Sequence, residues 1–272
     1  MNIINCLRFP AFGRLRPFFA ALLLGVALST VLPMSQALSA GDEDMRLRKA
    51  IADTNRTPRY AARDKWRHPY EVLRFFGLRD NQTVVEIWPG RRGWWTEILI
   101  PYLHDTGRYI AVQNRNPKKR FHARPGVSMV VSDFTKPVEL APADSVDMVL
   151  TFRNLHNWMK RGVADNVFKA FMKALKPGGV LGVVDHRARM NAPQDPKAKS
   201  GYVREDYAIA LAEKAGFRFV GKSEVNANPL DTTDYPAGVW TLAPSFRLKD
   251  KDRAKYEAIG ESDRFVLKFV KP

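Results

Sequence analysis

The fold class is decided by the stretch Thr83-Val84-Val85-Glu86-Ile87-Trp88-Pro89-Gly90-Arg91-Arg92-Gly93. It opens with a short run of mostly β-branched, apolar residues, which is typical of a buried strand. Pro89 and Gly90 then end the strand, and glycine allows a tight turn and a close approach of the backbone to a ligand. The helix that follows offers free backbone N–H groups at its start. We therefore predict a strand, a ligand-binding turn and a helix, in this order.

Strands and helices alternate along the rest of the chain. Apolar runs predict seven strands, at residues 83–87, 109–112, 128–131, 146–150, 180–184, 217–220 and 265–270. Apolar residues at helical spacing lie between them, at residues 70–77, 94–103, 163–175 and 207–215. This order predicts a doubly wound α/β domain with a mostly parallel sheet and helices on both faces. The ligand crevice of such a sheet lies at the carboxyl ends of its strands.

The N-terminal segment has the three parts of a secretory signal peptide. Three arginines precede an apolar run over residues 18–32, and small residues follow, with candidate cleavage sites after Ala37 and Ala40. The run is shorter than the roughly 20 residues of a membrane span, so we expect cleavage and no span in the mature protein. An uncleaved N-terminal anchor is the alternative. We therefore predict a signal peptide at residues 1–40 and a periplasmic location.

The mature chain, residues 41–272, is predicted to form one domain. It begins with a helical extension, and a segment rich in Pro, Asp and Thr at about 228–263 is predicted as an insertion before the last strand. The only cysteine, Cys6, precedes the apolar run. The mature protein therefore has neither a cysteine nucleophile nor a thiolate metal site.

The formal net charge is +16 at pH 7, which favours anionic ligands or surfaces. The basic residues are scattered, apart from one run at Lys118-Lys119-Arg120, so a solvated surface is the plainer interpretation. We expect no nucleic-acid partner. A basic surface for nucleic acid or anionic lipid is the weakest alternative, and the oligomeric state stays open.

Polar side chains follow the fourth and fifth predicted strands. Arg153 and His156 follow the fourth strand, and Asp185, His186 and Arg187 follow the fifth. Either histidine suits a general base, with the aspartate as a third catalytic candidate; a hydrogen-bonded loop histidine is the alternative. The two arginines suit an anionic small molecule such as a carboxylate or a phosphate. The two histidines and the aspartate lack a diagnostic zinc spacing, so we predict no metal.

Several segments carry a resemblance to a known family. The first strand with its turn, Asp147-Met148-Val149-Leu150 and Leu175-Lys176-Pro177-Gly178-Gly179 make the chain resemble class I S-adenosylmethionine-dependent methyltransferases. More narrowly, the chain is similar to the exported predicted methyltransferases of Gram-negative bacteria. The residues that carry this second similarity are Arg67-His68-Pro69, Asn154-Leu155-His156-Asn157-Trp158, Val184-Asp185-His186-Arg187 and Ser262-Asp263-Arg264-Phe265.

The resemblance implies a seven-stranded, Rossmann-like sheet with an antiparallel last strand. It implies S-adenosyl-L-methionine over the first two strands and a small-molecule acceptor over the fourth and fifth. The cofactor-binding positions carried over are Glu86, Trp88, Gly90, Gly93, Gln113, Asp133 and Asn154.

Three positions depart from the family pattern. The family usually has glycine where Trp88 and Arg92 stand, and an acidic ribose acceptor where Gln113 stands. An amide accepts a hydrogen bond about half as strongly as a carboxylate. We predict a methyltransferase that acts on a small molecule outside the cytoplasm. The alternative is a non-catalytic binding protein of the cell envelope, whose cleft Trp88 or Arg92 fills.

Overall fold

The computed structural model of the protein describes residues 34–90, 93–115 and 127–272. Arg92, the Lys118-Lys119-Arg120 run and residues 1–33 of the predicted signal peptide lie outside these ranges. Within the ranges, we find no helix whose length and apolar character would let it cross a membrane.

Seven strands form one sheet in the described part of the chain. They are β1 (Thr83–Ile87), β2 (Arg108–Gln113), β3 (Val127–Val131), β4 (Val146–Phe152), β5 (Leu175–His186), β6 (Arg218–Ser223) and β7 (Arg264–Val270). Their order across the sheet is β3-β2-β1-β4-β5-β7-β6. Pairing is parallel from β3 to β5, and β7 is antiparallel to both of its neighbours. The predicted doubly wound sheet with an antiparallel last strand is confirmed.

Helices cover both faces of the sheet. They are α1 (Met34–Ile51), α2 (Pro58–Ala61), α3 (Asp64–Arg67), α4 (Pro69–Phe76), α5 (Thr96–Leu103), α6 (Leu155–Arg161), α7 (Ala164–Ala174), α8 (Glu205–Lys214) and α9 (Arg253–Ile259). Both predicted cleavage positions, after Ala37 and after Ala40, fall within α1. The sequence did not predict α6, a helix of 7 residues that ends at Gly162 with a φ of 70°.

Alternate residues of each central strand build the two apolar layers. In β1, Val85 and Ile87 belong to the core under α6, α7 and α8, whereas Val84 belongs to the core under α1, α4 and α5. A strand buried on both faces favours a continuous apolar run, which is the pattern that predicted the fifth strand at residues 180–184 from the sequence.

The fifth strand begins earlier than predicted. Leu175 already pairs with Val146, and regular pairing resumes at Val180 opposite Met148. The Lys-Pro-Gly-Gly residues between them therefore form an irregularity within β5 rather than a break before it. Gly178 accommodates the bend with a φ of 77°, a conformation that favours glycine.

The segment at 228–263 connects β6 to β7. It contains a short 3₁₀ turn (Gly238–Thr241) and α9. The turn approaches the carboxyl ends of β4 and β5, since Trp240 lies against His156 with 5.9 Å between ring centroids. This connection thus forms one wall of the crevice that the parallel strands create.

Candidate functional site

The backbone makes the same turn where β1 and β4 end. Trp88 follows β1 with a φ of 46°, and Arg153 follows β4 with a φ of 61°. The N–H of Trp88 donates to the carbonyl of Val112 at 2.7 Å, and the N–H of Arg153 donates to that of Val184 at 2.7 Å. A left-handed conformation costs a non-glycine residue about 1–2 kcal/mol, so the surrounding structure holds both turns in place.

The Trp88 side chain fills the space beyond β1. Its ring lies 5.8 Å from Phe134 and 5.9 Å from Trp158, centroid to centroid. Its Nε1–H donates to the carbonyl of Ser132 at 3.0 Å, and the Arg161 guanidinium lies 5.5 Å above the ring. Trp88 is only 8% exposed. An indole therefore occupies the hollow between the ends of β1 and β3 and helix α6.

Glu86 has a structural role in place of the predicted direct contact with a cofactor. Its carboxylate accepts hydrogen bonds from the Tyr109 hydroxyl at 2.6 Å and the Thr96 hydroxyl at 2.9 Å. The residue is 1% exposed, and burial raises its pKa to about 7 against the lowering effect of these two bonds. Glu86 thus ties β1 to β2 and α5 beneath the turn.

Three other predicted cofactor residues lie around the same hollow and differ in burial and hydrogen bonding. Gln113 is buried, and its Nε2 has no hydrogen-bond partner in the described structure. Asp133 is solvent-accessible and accepts hydrogen bonds from the N–H and hydroxyl of Thr135. Asn154 is buried and donates from Nδ2 to the carbonyl of Ile87 at 2.7 Å, so it ties β4 to β1. Only Asp133 is open to a ligand in this arrangement.

The predicted glycine turn borders an open cleft of about 530 Å³. Gly90 and Gly93, with φ values of 74° and 58°, line it together with Pro89 and Trp94. The remaining lining residues are Arg59, Tyr60, Arg63, Arg153 and Pro244. This glycine cleft is the size of an ordinary small-molecule site, and none of the described residues that line it is acidic.

His156 and Asp185 form a hydrogen-bonded pair at the ends of β4 and β5. His156 Nδ1 lies 2.9 Å from Asp185 Oδ1, and the His156 N–H donates to Oδ2 at 3.0 Å. The His186 N–H donates to Oδ1 at 2.7 Å. A carboxylate only accepts hydrogen bonds, so Nδ1 of His156 carries a proton, and in the neutral ring the lone pair lies on Nε2. Histidine and aspartate are thus brought together as predicted.

His186 lies beside this pair, 5.3 Å from His156 between ring centroids. Its Nδ1 lies 2.5 Å from the Ser262 hydroxyl. Burial, followed by the nearby His156, Arg153, Arg264 and Arg67, lowers the pKa of His186 well below its usual value, so the ring is neutral. Both histidines line a pocket of about 190 Å³, whose other walls include Arg153, Trp240 and Pro244.

His156, Asp185 and His186 offer donor atoms that all lie within 4.8 Å of one another, a spacing that could hold a cation. However, both oxygens of Asp185 already accept hydrogen bonds. Nearby guanidinium groups add positive charge that would repel a metal ion. The arrangement favours an oriented histidine over a metal centre.

The two arginines predicted to bind substrate differ in their surroundings. Arg187 forms ion pairs with Glu224 at 2.5 Å, Glu205 at 3.7 Å and Asp263 at 3.7 Å, so carboxylates of the chain already balance its charge and its substrate role stays a prediction. Arg153 lines both the glycine cleft and the histidine pocket. Its side chain makes no hydrogen bond or ion pair with the described residues. Only Arg153 is available to a ligand.

The sequence analysis missed a buried cluster of arginines around Glu261. Glu261 lies 2.5 Å from Arg63 Nε, 3.4 Å from Arg67 Nε and 3.0 Å from Arg264 Nη1. Burial alone would raise the pKa of this carboxyl, but the guanidinium groups outweigh it and hold the pKa well below its usual range. Arg67-His68-Pro69 and the closing segment around Arg264 were the only signals, and neither has a generic mechanism.

Comparisons with known proteins identify the fold. No protein-family model and no curated protein sequence matches the chain. Among solved structures, an S-adenosylmethionine-dependent methyltransferase from Aquifex aeolicus is 15% identical, with a TM-score of 0.52 and coverage of 84% of this chain and 98% of that one. Geranyl diphosphate C-methyltransferase from Streptomyces coelicolor A3(2), in complex with Mg²⁺, geranyl diphosphate and S-adenosyl-L-homocysteine, is 13% identical, with a TM-score of 0.54 and coverage of 89% and 99%.

A third similar structure is the [4+2]-cyclase SpnF, which is 13% identical with a TM-score of 0.53 and coverage of 89% of this chain and 97% of that one. At such identities the similarity shows the fold alone, and the chain has the fold of class I methyltransferases. Because one of these similar structures is named a cyclase, the reaction has to be argued from the site.

Proposed function

We propose that this protein is an S-adenosylmethionine-dependent methyltransferase that acts on a small molecule. One observation carries the proposal: the glycine cleft and the histidine pocket adjoin, because Arg153 and Pro244 line both. Group transfer between two bound molecules requires two neighbouring sites, since proximity and orientation supply much of the rate.

The glycine cleft fits the cofactor in size and backbone. Gly90 and Gly93 would lie against it, and a Cβ at Gly90 would meet no atom of the described residues within 4 Å. When bound, S-adenosylmethionine supplies a methyl group activated by a positively charged sulfur. The rest of the chemistry belongs to side chains of this chain.

His156 is the general base in this proposal. Asp185 holds its ring by the bond to Nδ1, and this leaves the lone pair of Nε2 to take a proton from an acceptor hydroxyl or amine. His186 is neutral and lies beside it, so it adds no positive charge that would discourage this proton transfer. The 3₁₀ turn with Trp240 closes the pocket and limits the acceptor to a small molecule.

A second candidate is a non-catalytic binding protein, and two observations favour it. The Trp88 indole occupies the hollow where adenosine is implied to lie by the resemblance. The glycine cleft is lined by Arg59, Arg63 and Arg153 without any carboxylate, which opposes a cationic sulfonium. In this case the fold keeps its crevice and binds another ligand.

Calorimetry decides between the two candidates. We expect the purified protein to bind S-adenosylhomocysteine, and Trp88→Gly to bind it at least tenfold more tightly, because the change restores the usual glycine and removes the indole. His156→Asn should keep this affinity and lose methyl transfer. Absence of binding to wild type and Trp88→Gly at millimolar ligand would leave only the binding protein.

We also propose that the protein works outside the cytoplasm. The support is the sequence of residues 1–40, with arginines before an apolar run and small residues after it. Cell fractionation with N-terminal sequencing tests this location. A mature N-terminus at Leu38 or Gly41 in the periplasmic fraction is expected, and full-length protein in the cytoplasm contradicts the proposal.

A further inference from the structure

The arginine cluster carries more positive charge than its carboxylates neutralise. Arg63, Arg67, Arg153 and Arg264 act on one another electrostatically, and the carboxylates that act on Arg153 are Glu261 and Asp185. The next carboxylate, Asp263, is paired with Arg187. Four guanidinium groups thus face Glu261 and Asp185 and share Asp263, which also acts on Arg264, with Arg187. Charges removed from water in this way are costly unless a partner balances them.

The unbalanced charge is concentrated on three guanidinium groups. The Nη2 atoms of Arg63 and Arg67 are buried and have no hydrogen-bond partner among the described residues. Burial, followed by repulsion from Arg63 and Arg264, lowers the pKa of Arg153 to about 10, and its left-handed turn fixes the backbone from which it projects. The segments outside the described ranges contain no Asp or Glu at all, so they supply no missing carboxylate.

These groups border the ligand space. Arg63 and Arg153 both line the glycine cleft, and Arg153 continues into the histidine pocket. Arg67 lies directly behind the wall, with its guanidinium 4.6 Å from the ring centroid of Trp94, a lining residue. The positive charge therefore faces the junction of the two pockets.

We propose that this junction binds a compact anionic group, a phosphate monoester or a carboxylate, of the small molecule whose reacting end lies beside His156. Arg153 is its main contact, and Arg63 completes the site. Guanidinium groups bind such groups through paired, charge-assisted hydrogen bonds. The inference deepens the proposed function by naming the substrate class. That the bound anion is a methyl acceptor rests on the proposed function, whereas the anion site itself is argued from the geometry of the arginines.

The test is calorimetry of the purified protein with inorganic phosphate and with malonate at constant ionic strength. We expect one binding site per chain. Its affinity should be at least tenfold lower in Arg153→Gln and partly restored in Arg153→Lys. Arg218→Gln, which removes an exposed arginine of β6, is the matched control and should bind as wild type does. Tighter phosphate binding assigns a phosphate monoester, and tighter malonate binding assigns a carboxylate.

A second measurement separates a binding role from a structural one. Because Arg153 has no partner in the described structure, Arg153→Gln should unfold at a higher urea concentration than wild type while it loses the anion. Equal anion binding in wild type and Arg153→Gln, or an equal loss in Arg218→Gln, overturns the proposal. Titration of S-adenosylhomocysteine in parallel keeps the two proposals distinct, since either ligand can bind without the other.

Discussion

The exits of β1 and β4 share a backbone turn but differ in what they hold. Beyond β1, the Trp88 side chain is enclosed by aromatic rings and bonded to a backbone carbonyl. Beyond β4, Arg153 has no polar partner in the described structure and faces open space. A side chain of the protein itself fills the first exit, whereas the second exit borders two open pockets.

This difference locates the working part of the molecule. The β1 exit, where the fold of class I methyltransferases leads one to expect the adenosine, is apolar and packed. The β4 and β5 exits hold an oriented histidine, a neutral histidine and unbalanced guanidinium groups, a combination that is typical of functional sites. Substitutions at each exit and in the arginine cluster test this difference.

Glu261→Ala should have the largest effect, about 3–5 kcal/mol off the free energy of unfolding, because it leaves three buried guanidinium groups without their shared carboxylate. Urea denaturation measures it. Glu257→Ala removes an exposed pair with Arg253 and should change stability by less than about 0.5 kcal/mol. Equal effects of the two substitutions would mean that the buried cluster is already balanced.

Glu86→Gln should change how stability depends on pH. The folded pKa of about 7 lies above the unfolded value of 4.5, so this carboxyl favours the native state below pH 4.5, and its contribution is lost as pH rises through 7. The loss is about 3 kcal/mol, which glutamine removes. Relative to wild type, the urea midpoint of Glu86→Gln should be higher at pH 8 than at pH 5. The control Glu139→Gln, at an exposed position, should show no such difference.

His186 should affect the pH dependence of stability in the opposite direction to Glu86. Its pKa is lowered in the folded protein, so its contribution to stability is present above the unfolded value of 6.5 and is lost as pH falls. In the same experiment His186→Asn should reduce the loss of stability on the acidic side. A parallel pH response of the two variants would contradict the opposite pKa shifts, raised for Glu86 and lowered for His186.

Trp88→Gly should lower the free energy of unfolding by about 2 kcal/mol. Removal of a buried tryptophan costs about 3–5 kcal/mol, and relief of the left-handed turn returns about 1–2 kcal/mol. Trp88→Ala keeps the strained turn and should be about 1 kcal/mol less stable than the glycine variant. If alanine equals glycine in chemical denaturation, the turn stores no strain.

Gln113→Met should have the smallest effect, a gain of about 1 kcal/mol, since it removes a buried amide nitrogen that lacks a partner in the described structure. Thermal unfolding without ligand measures the gain. A loss of stability would show that the amide is satisfied, for example by an ordered water.

The sequence predicted the sheet well and the site only in part. Residues 83–87 match β1 because both faces of that strand are buried, and its run of mostly β-branched, apolar residues indicates this directly. The pairing of His156 with Asp185 was foreseeable from strand ends alone. The pairing of Arg63 with Glu261 was not, because 198 residues separate them and no local pattern reports a distant ion pair.

The ion pairs of Arg187 were unforeseen for the same reason. Its position after β5 indicated the crevice, but three carboxylates from other parts of the chain surround it. Trp88 shows the reverse case, since a single bulky residue at an expected glycine pointed correctly to a filled hollow. A departure from a motif is readable in sequence, whereas charge balance requires the tertiary structure.

The connection between β6 and β7 has an evolutionary consequence. It supplies Trp240 and Pro244 to the histidine pocket and Glu261 to the arginine cluster, while the strands on either side of it pair with each other in the sheet. Replacement of this connection could therefore change which ligand is bound without a change in the sheet. We expect related chains with the same strands and a different connection to bind different molecules.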